Sequence, residues 1–280
     1  MKLIFSNSHF NAIILHSSKL DLQGYRVISW TQGKAQKNMG MAYDILFPDI
    51  SVIYLSKFKT IMLVLGCIAN SVIIGDYRSR SAQVLTAIRS FLRRLGLPLK
   101  TYFVDDGSNS LHLKSLSSQS SYPSVDAFYS CFDIGHKNTI SVDPSRTLLS
   151  INATNLTASV LFLGTAEVAS GYLSQDEYLD AILKLKKIYP EIVYKPHRKE
   201  KAEFIEILKS NYLTLLDVDI PLEFFDLSQV NKIYTTGTSS QIWLNRLYKD
   251  LDFERLEFGD EWNLNLGRKN AFDELWNATK

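Results

Sequence analysis

Short runs of β-branched and aromatic residues alternate with amphipathic stretches along this chain, and the alternation runs twice. In the first half, Lys2–Phe5, residues 25–30 (YRVISW), Ser71–Gly75 and Lys100–Val104 read as strands. Residues 10–15 belong to a first helix, and residues 53–69 hold a second helical segment. Residues 81–95 place Val84, Leu85, Ile88, Leu92 and Leu95 at helical spacing, and Gly96 and Pro98 end that helix. Residues 42–49 are mixed in character, 109–125 read as a serine-rich loop, and 128–132 as a further strand. In the second half, strands are predicted at Val160–Leu163, Ile192–Lys195 and Lys232–Tyr234. Ser174 and Glu177 have capping-box spacing for a helix that runs to Tyr189 and stops at Pro190. Lys201–Lys209 and Gln241–Tyr248 read as the remaining helices. Such alternation predicts parallel sheets covered by helices. Residues 141–159 are polar, contain Pro144 and lack periodicity, so they read as the linker between domains 1–148 and 149–280. The expected fold is α/β, with two Rossmann-like domains facing each other across a cleft.

Composition narrows the function classes. With 280 residues, 46% of them hydrophobic, the chain has material for two cores. A net charge of +2 and the lack of nucleic-acid motifs argue against a nucleic-acid partner. Arg78, Arg80, Arg89, Arg93 and Arg94 cluster as a solvated helix face or as a contact for an anionic membrane or acidic glycan. Cys67 and Cys131 specify neither a disulfide framework nor a zinc site. The first residues make a poor signal peptide. The longest apolar run, Ile61–Ala69, is about half of the roughly 20 residues a membrane span needs. A cytoplasmic setting is expected, with peripheral contact at the inner face of the membrane left open.

Three polar clusters follow predicted strands, where open α/β sheets bind ligands. Asp105-Asp106-Gly107 suits a turn, a metal or a general base, and Asp106 is the better placed acid for a cleft. Lys195-Pro196-His197-Arg198 surrounds a histidine with cations, a setting for an anion, although a lone histidine is commonly structural. Thr235–Ser240 precedes a helix, where hydroxyls and backbone N–H groups either bind phosphate or simply cap. His9, His16, His112 and His136 show no ligand spacing, and no Walker loop, nucleophile elbow or GxGxxG occurs.

In this order, Asp105-Asp106-Gly107, Pro196-His197 and Thr238-Ser239-Ser240 resemble the D/E-D/E-G, HP and Ser/Thr motifs of bacterial GT-B sialyltransferases and polysialyltransferases. Residues 161–179, 192–200 and 233–243 are similar to the lipooligosaccharide sialyltransferase and capsule polysialyltransferase families. The resemblance implies a GT-B fold and inverting, metal-independent transfer of sialic acid from CMP-sialic acid to an acceptor glycan. It implies Asp106 as base for the acceptor hydroxyl, and His197 as the group that stabilises or protonates the leaving phosphate. Thr238, Ser239 and Ser240 would bind that phosphate, with Gly164 and Lys195 beside the nucleotide and Glu223 on the ribose. Arg198 departs from the family pattern, in which proline follows the histidine, and the chain is short for these families. Alternatives are transfer of Kdo or another CMP-activated nonulosonate, a CMP- or glycan-binding protein without activity, and a CDP-glycerol phosphotransferase.

Overall fold

The computed structural model describes residues 1–55, 58–75, 79–105, 125–131, 137–151, 154–236, 240–248, 250–256 and 258. The chain divides into two compact units, Met1–Ile151 and Asn152–Lys280. Both are α/β with parallel sheets.

In the first unit the strands are β1 (Lys2–Phe5), β2 (Tyr25–Ser29), β3 (Val52–Tyr54), β4 (Ser71–Ile74), β5 (Lys100–Val104), β6 (Ala127–Ser130) and β7 (Thr139–Ser141). They pair in the order β3-β2-β1-β4-β5-β6-β7, and every pair is parallel. β4 is buried at all four positions. Continuous apolar runs rather than alternation are the signature of strands covered on both faces. The helices are α1 (His9–Ser17), α2 (Gly33–Leu46), α3 (Phe58–Ile68), α4 (Arg80–Arg94) and α5 (Ser145–Ile151).

Three features depart from the sequence reading. α2 extends over residues 42–46 of the stretch of mixed character, and β3 precedes the helix in the segment expected to be helical from residue 53. The expected linker holds the last residue of β7 and all of α5, and Pro144 directly precedes α5, where a missing N–H costs nothing. Asp143 Oδ1 accepts the Ser145 N–H at 3.0 Å, and Thr147 of α5 bonds to His16 and Ser17 of α1. Arg89, grouped in sequence with arginines of a solvated face or of an anionic-membrane or acidic-glycan contact, is buried at 1% exposure. Its guanidinium donates to the carbonyls of Gly66, Ala69, Asn70 and Lys100 and to Thr101 Oγ1. It therefore satisfies carbonyls at the end of α3 that the helix leaves without partners, and burial lowers its pKa against the attraction of Asp126.

The second unit contains β8 (Thr154–Asn155), β9 (Val160–Leu163), β10 (Val193–Lys195), β11 (Thr214–Leu215), β12 (Phe225–Asp226), β13 (Lys232–Thr235) and β14 (Asp252–Arg255). Five of them form a parallel sheet in the order β11-β10-β9-β13-β14, and β12 pairs with β8. The helices are α6 (Gln175–Ile188), α7 (Ala202–Ser210) and α8 (Ser240–Leu247). Ser174 is the N-cap of α6, but its side chain makes no capping bond, whereas Ser8 and Asn11 form a full capping box on α1. Alternate residues of β9 feed two cores: Leu161 and Leu163 pack with Val193 and Ile233, and Val160 and Phe162 with Tyr178, Tyr194 and Phe204. Each fully buried side chain of this size contributes about 1.5–3 kcal/mol.

Candidate functional site

Each sheet reverses its strand order beside its first strand, the point where the connections leave a crevice at the carboxyl ends. In the first unit that point lies between β1 and β4, and Asn11 fills it. Asn11 is fully buried; its Nδ2 donates to Asp105 O at 2.7 Å, and its Oδ1 accepts from Ser6 Oγ and the N–H groups of Asn7 and Ser8. Gly75 faces this side chain so closely that an added Cβ would lie 2.3 Å from Asn11 Oδ1. Asp105 is buried as well, and its Oδ2 accepts from Ser130 Oγ and from Cys131 Sγ and N–H. The first acid of the Asp-Asp-Gly cluster is thus a structural acceptor that ties β5 to the end of β6. Asp106, expected as the base, lies outside the described residues, as do Thr238 and Ser239.

In the second unit the reversal lies between β9 and β13, and several polar groups meet there. Leu163, the last residue of β9, pairs with Lys195 on one side and Thr235 on the other. The next residues, Gly164, Pro196 and Thr236, therefore stand together at the sheet's carboxyl edge, and Gly164 N–H donates to Lys195 O at 2.9 Å. Thr165, Thr235 and Thr236 are buried there, and Ser240 is the first residue of α8. A Cβ on Gly164 would come within 2.7 Å of the His197 backbone nitrogen, so the close approach of the two loops requires glycine.

The charges around this edge are strongly perturbed. Lys195 is buried and donates to Asp217 O at 2.7 Å. Burial pushes its pKa down to about 8, against the raising effect of Glu223, Asp217, Asp219 and Glu200. Glu223, on the turn Leu222–Phe224, thus acts on Lys195 through its charge. Burial, with the charges of Arg198, Lys199 and Lys195, pushes His197 down to about 4. The ring is neutral at neutral pH. Its Nδ1 faces the Lys199 N–H at 3.2 Å and must accept, which leaves the hydrogen on Nε2. His197 is therefore built as a neutral hydrogen-bond donor, and donating a proton from a cationic ring is opposed by its surroundings.

Sequence reasoning passed over Glu200. Its Oε1 accepts the Thr165 N–H at 3.1 Å and the Tyr194 hydroxyl, and its Oε2 accepts the His197 N–H at 3.0 Å. Tyr194 in turn meets Tyr178 at 3.0 Å between hydroxyls. Burial raises Glu200 to about 7 in spite of these donors and Lys195. The signal in the sequence was its place three residues after His197, beside the cations that read as a setting for an anion. Among the described residues, no group of three His, Cys, Asp or Glu side chains is arranged to hold a metal ion. No helix among them is long and apolar enough to cross a membrane.

Comparison with known proteins corrects the identity suggested by the motifs. No protein-family profile and no curated protein sequence matches the chain. Solved structures do match, and those most similar include UDP-GlcNAc 2-epimerases. The enzyme from Methanocaldococcus jannaschii matches with a TM-score of 0.56 over 99% of this chain and 92% of its own, at 14% identity. The Neisseria meningitidis enzyme, bound to UDP-GlcNAc, gives 0.56 over 99% and 91%, at 13% identity. A putative UDP-N-acetylglucosamine 2-epimerase from Listeria monocytogenes gives 0.58 over 99% and 90%, at 12% identity. The chain has the GT-B-like α/β fold of these proteins. The resemblance to sialyltransferases and polysialyltransferases is overturned, and with it CMP-sialic acid transfer to capsule or lipooligosaccharide and the CMP-sugar donor as partner. The physical reason is that short acidic, histidine and hydroxyl clusters at strand ends mark where a Rossmann-like sheet presents polar groups, not which nucleotide it receives.

Proposed function

We propose that this chain is a nucleotide-sugar enzyme that holds a UDP-N-acetylhexosamine at the carboxyl edge of its second sheet and inverts the sugar at C2. The observation that carries the reading is the junction of Gly164, Lys195, His197 and the Thr235–Thr236 edge at the strand-order reversal. It combines a glycine that lets the two strand-end loops close on each other, a neutral imidazole that donates through Nε2, and an ammonium that is mostly cationic at neutral pH. Donors of this kind suit a diphosphate, whose charge is spread over several acceptor oxygens. The uridine nucleotide and the reaction are supported by likeness of fold to epimerases, one of them bound to UDP-GlcNAc. Inversion at C2 removes the hydrogen from one face of the carbon and returns one to the other, so substrate and product have the same atoms.

The test is incubation with UDP-GlcNAc, with and without EDTA, while proton NMR follows the anomeric signal of the C2 epimer, UDP-N-acetylmannosamine. Conversion that survives EDTA, with UDP binding measured by calorimetry, is expected. Absence of both conversion and UDP binding at millimolar concentrations rejects the reading.

A further inference from the structure

We propose that Glu200 is a positioning residue that bolts the Gly164–Thr165 loop after β9 to the Pro196–Glu200 turn after β10, and so sets the distance between the groups that receive a nucleotide sugar. This rests on the reading of the second sheet's carboxyl edge as the nucleotide-sugar site.

The two loops follow different strands, and among the described residues one backbone bond past the strand pairing joins them, from Gly164 N–H to Lys195 O. Glu200 supplies the rest. One carboxylate oxygen takes the N–H of Thr165 and the other takes the N–H of His197. The carboxylate lies directly over Gly164, where a Cβ would be 2.8 and 2.9 Å from its two oxygens. The turn is also closed from behind by the Glu200 N–H on His197 O at 2.9 Å. Tyr194 and Tyr178, linked hydroxyl to hydroxyl beneath it, fix the rotamer. With its acceptor sites taken by main-chain and tyrosine donors, this carboxylate is not arranged to receive a substrate proton. Its chemistry is that of a two-pronged acceptor on a rigid support.

An amide cannot replace it. Glutamine has one acceptor oxygen and an NH2 group, so one of the two backbone N–H groups would face another donor. Protonation of Glu200 has the same effect by turning one oxygen into a donor. The titratable groups that face it are Tyr178 from α6, Tyr194 and Lys195 from β10, and His197 in the turn; none of the tyrosines ionises near neutral pH, because burial raises both. Protonation of Glu200 near pH 7 therefore belongs to a working range of pH.

The experiment compares the wild type with Glu200→Gln, and uses Glu203→Gln on the exposed face of α7 as control. Amide exchange gives protection factors at Thr165 and His197, and calorimetry gives the affinity for UDP-GlcNAc, whose diphosphate diester does not titrate between pH 5.5 and 7. In Glu200→Gln, protection at both amides should fall at least about tenfold and Kd should rise by about tenfold. In the wild type, Kd should rise as pH falls from 7 to 5.5, a range in which Lys195 is already cationic and His197 still neutral, and the variant should show a flat profile. Unchanged protection in Glu200→Gln overturns the bolt. Lost protection with unchanged affinity overturns the positioning role. Should the variant fail to fold, the wild-type profile decides, and a flat one rejects the proposal. A wild type that binds no UDP-GlcNAc rejects the nucleotide-sugar reading instead, and the protection factors still decide whether Glu200 joins the loops.

Discussion

Glu200 accepts the backbone N–H of His197 at 3.0 Å, and the two side chains titrate in opposite senses. Glu200 is raised from 4.5 to about 7, and His197 is lowered from 6.5 to about 4. Between these limits the folded state holds a proton on Glu200 that the unfolded state lacks, so this group adds stability as pH falls from 7 toward 4.5. For His197 the unfolded state holds the extra proton, so stability is lost as pH falls from 6.5 toward 4. The two nearly cancel across their shared window. His197→Gln should therefore gain stability relative to wild type on going from pH 8 to 5, and Glu200→Gln should lose it, each by up to about 3 kcal/mol. Urea unfolding at the two pH values measures this, and variant curves parallel to wild type would contradict it.

Gly164→Ala should damage the same junction from the other side. Its Cβ would meet the His197 nitrogen at 2.7 Å and both Glu200 oxygens within 2.9 Å, none of them the end of a loosely held chain. Destabilisation of about 1–3 kcal/mol is expected from this overpacking, along with weaker UDP binding. Thermal unfolding with and without UDP reads both, and a variant with wild-type values for each would show that the loops separate without cost.

In the first unit, Asn11→Asp keeps the shape and removes the donor. Asp105 O then loses its 2.7 Å bond and faces a carboxylate oxygen in a buried crevice. A loss of roughly 2–4 kcal/mol is expected, because an unsatisfied buried acceptor and a buried charge add. Denaturant unfolding checks it, and a loss below about 1 kcal/mol would mean that water reaches the crevice.

Arg89→Met fills the volume and leaves the carbonyls of Gly66, Ala69, Asn70 and Lys100 without this donor. The cost should be at least about 3 kcal/mol, since several buried acceptors lose partners together. By contrast Arg94→Met, on the exposed side of the same helix, should change stability by no more than about 0.5 kcal/mol. Equal effects at the two positions would return Arg89 to the solvated face that its sequence context suggests.

The amino-acid sequence alone determined the class of fold. Two series of apolar runs with helical stretches between them permit little except parallel sheets under helices, because local periodicity follows from which faces are buried. It also marked the strand ends at Gly164, Lys195 and His197, since polar residues directly after a buried strand stand at a sheet's carboxyl edge. Tertiary structure decided the roles. Arg89 looks like an exposed charge in sequence, and only the carbonyls brought to it from 11 to 23 residues away make it a buried partner; Glu200 joins two loops only because the Thr165 N–H reaches it from 35 residues away. Pro144 reads as a break because its place at the start of a helix depends on α5 packing against α1. The three motifs pointed to CMP-sialic acid because strand-end chemistry is shared by many nucleotide-binding sheets; which base and sugar fit is a property of the walls around that edge, and those walls come from residues distant in the chain.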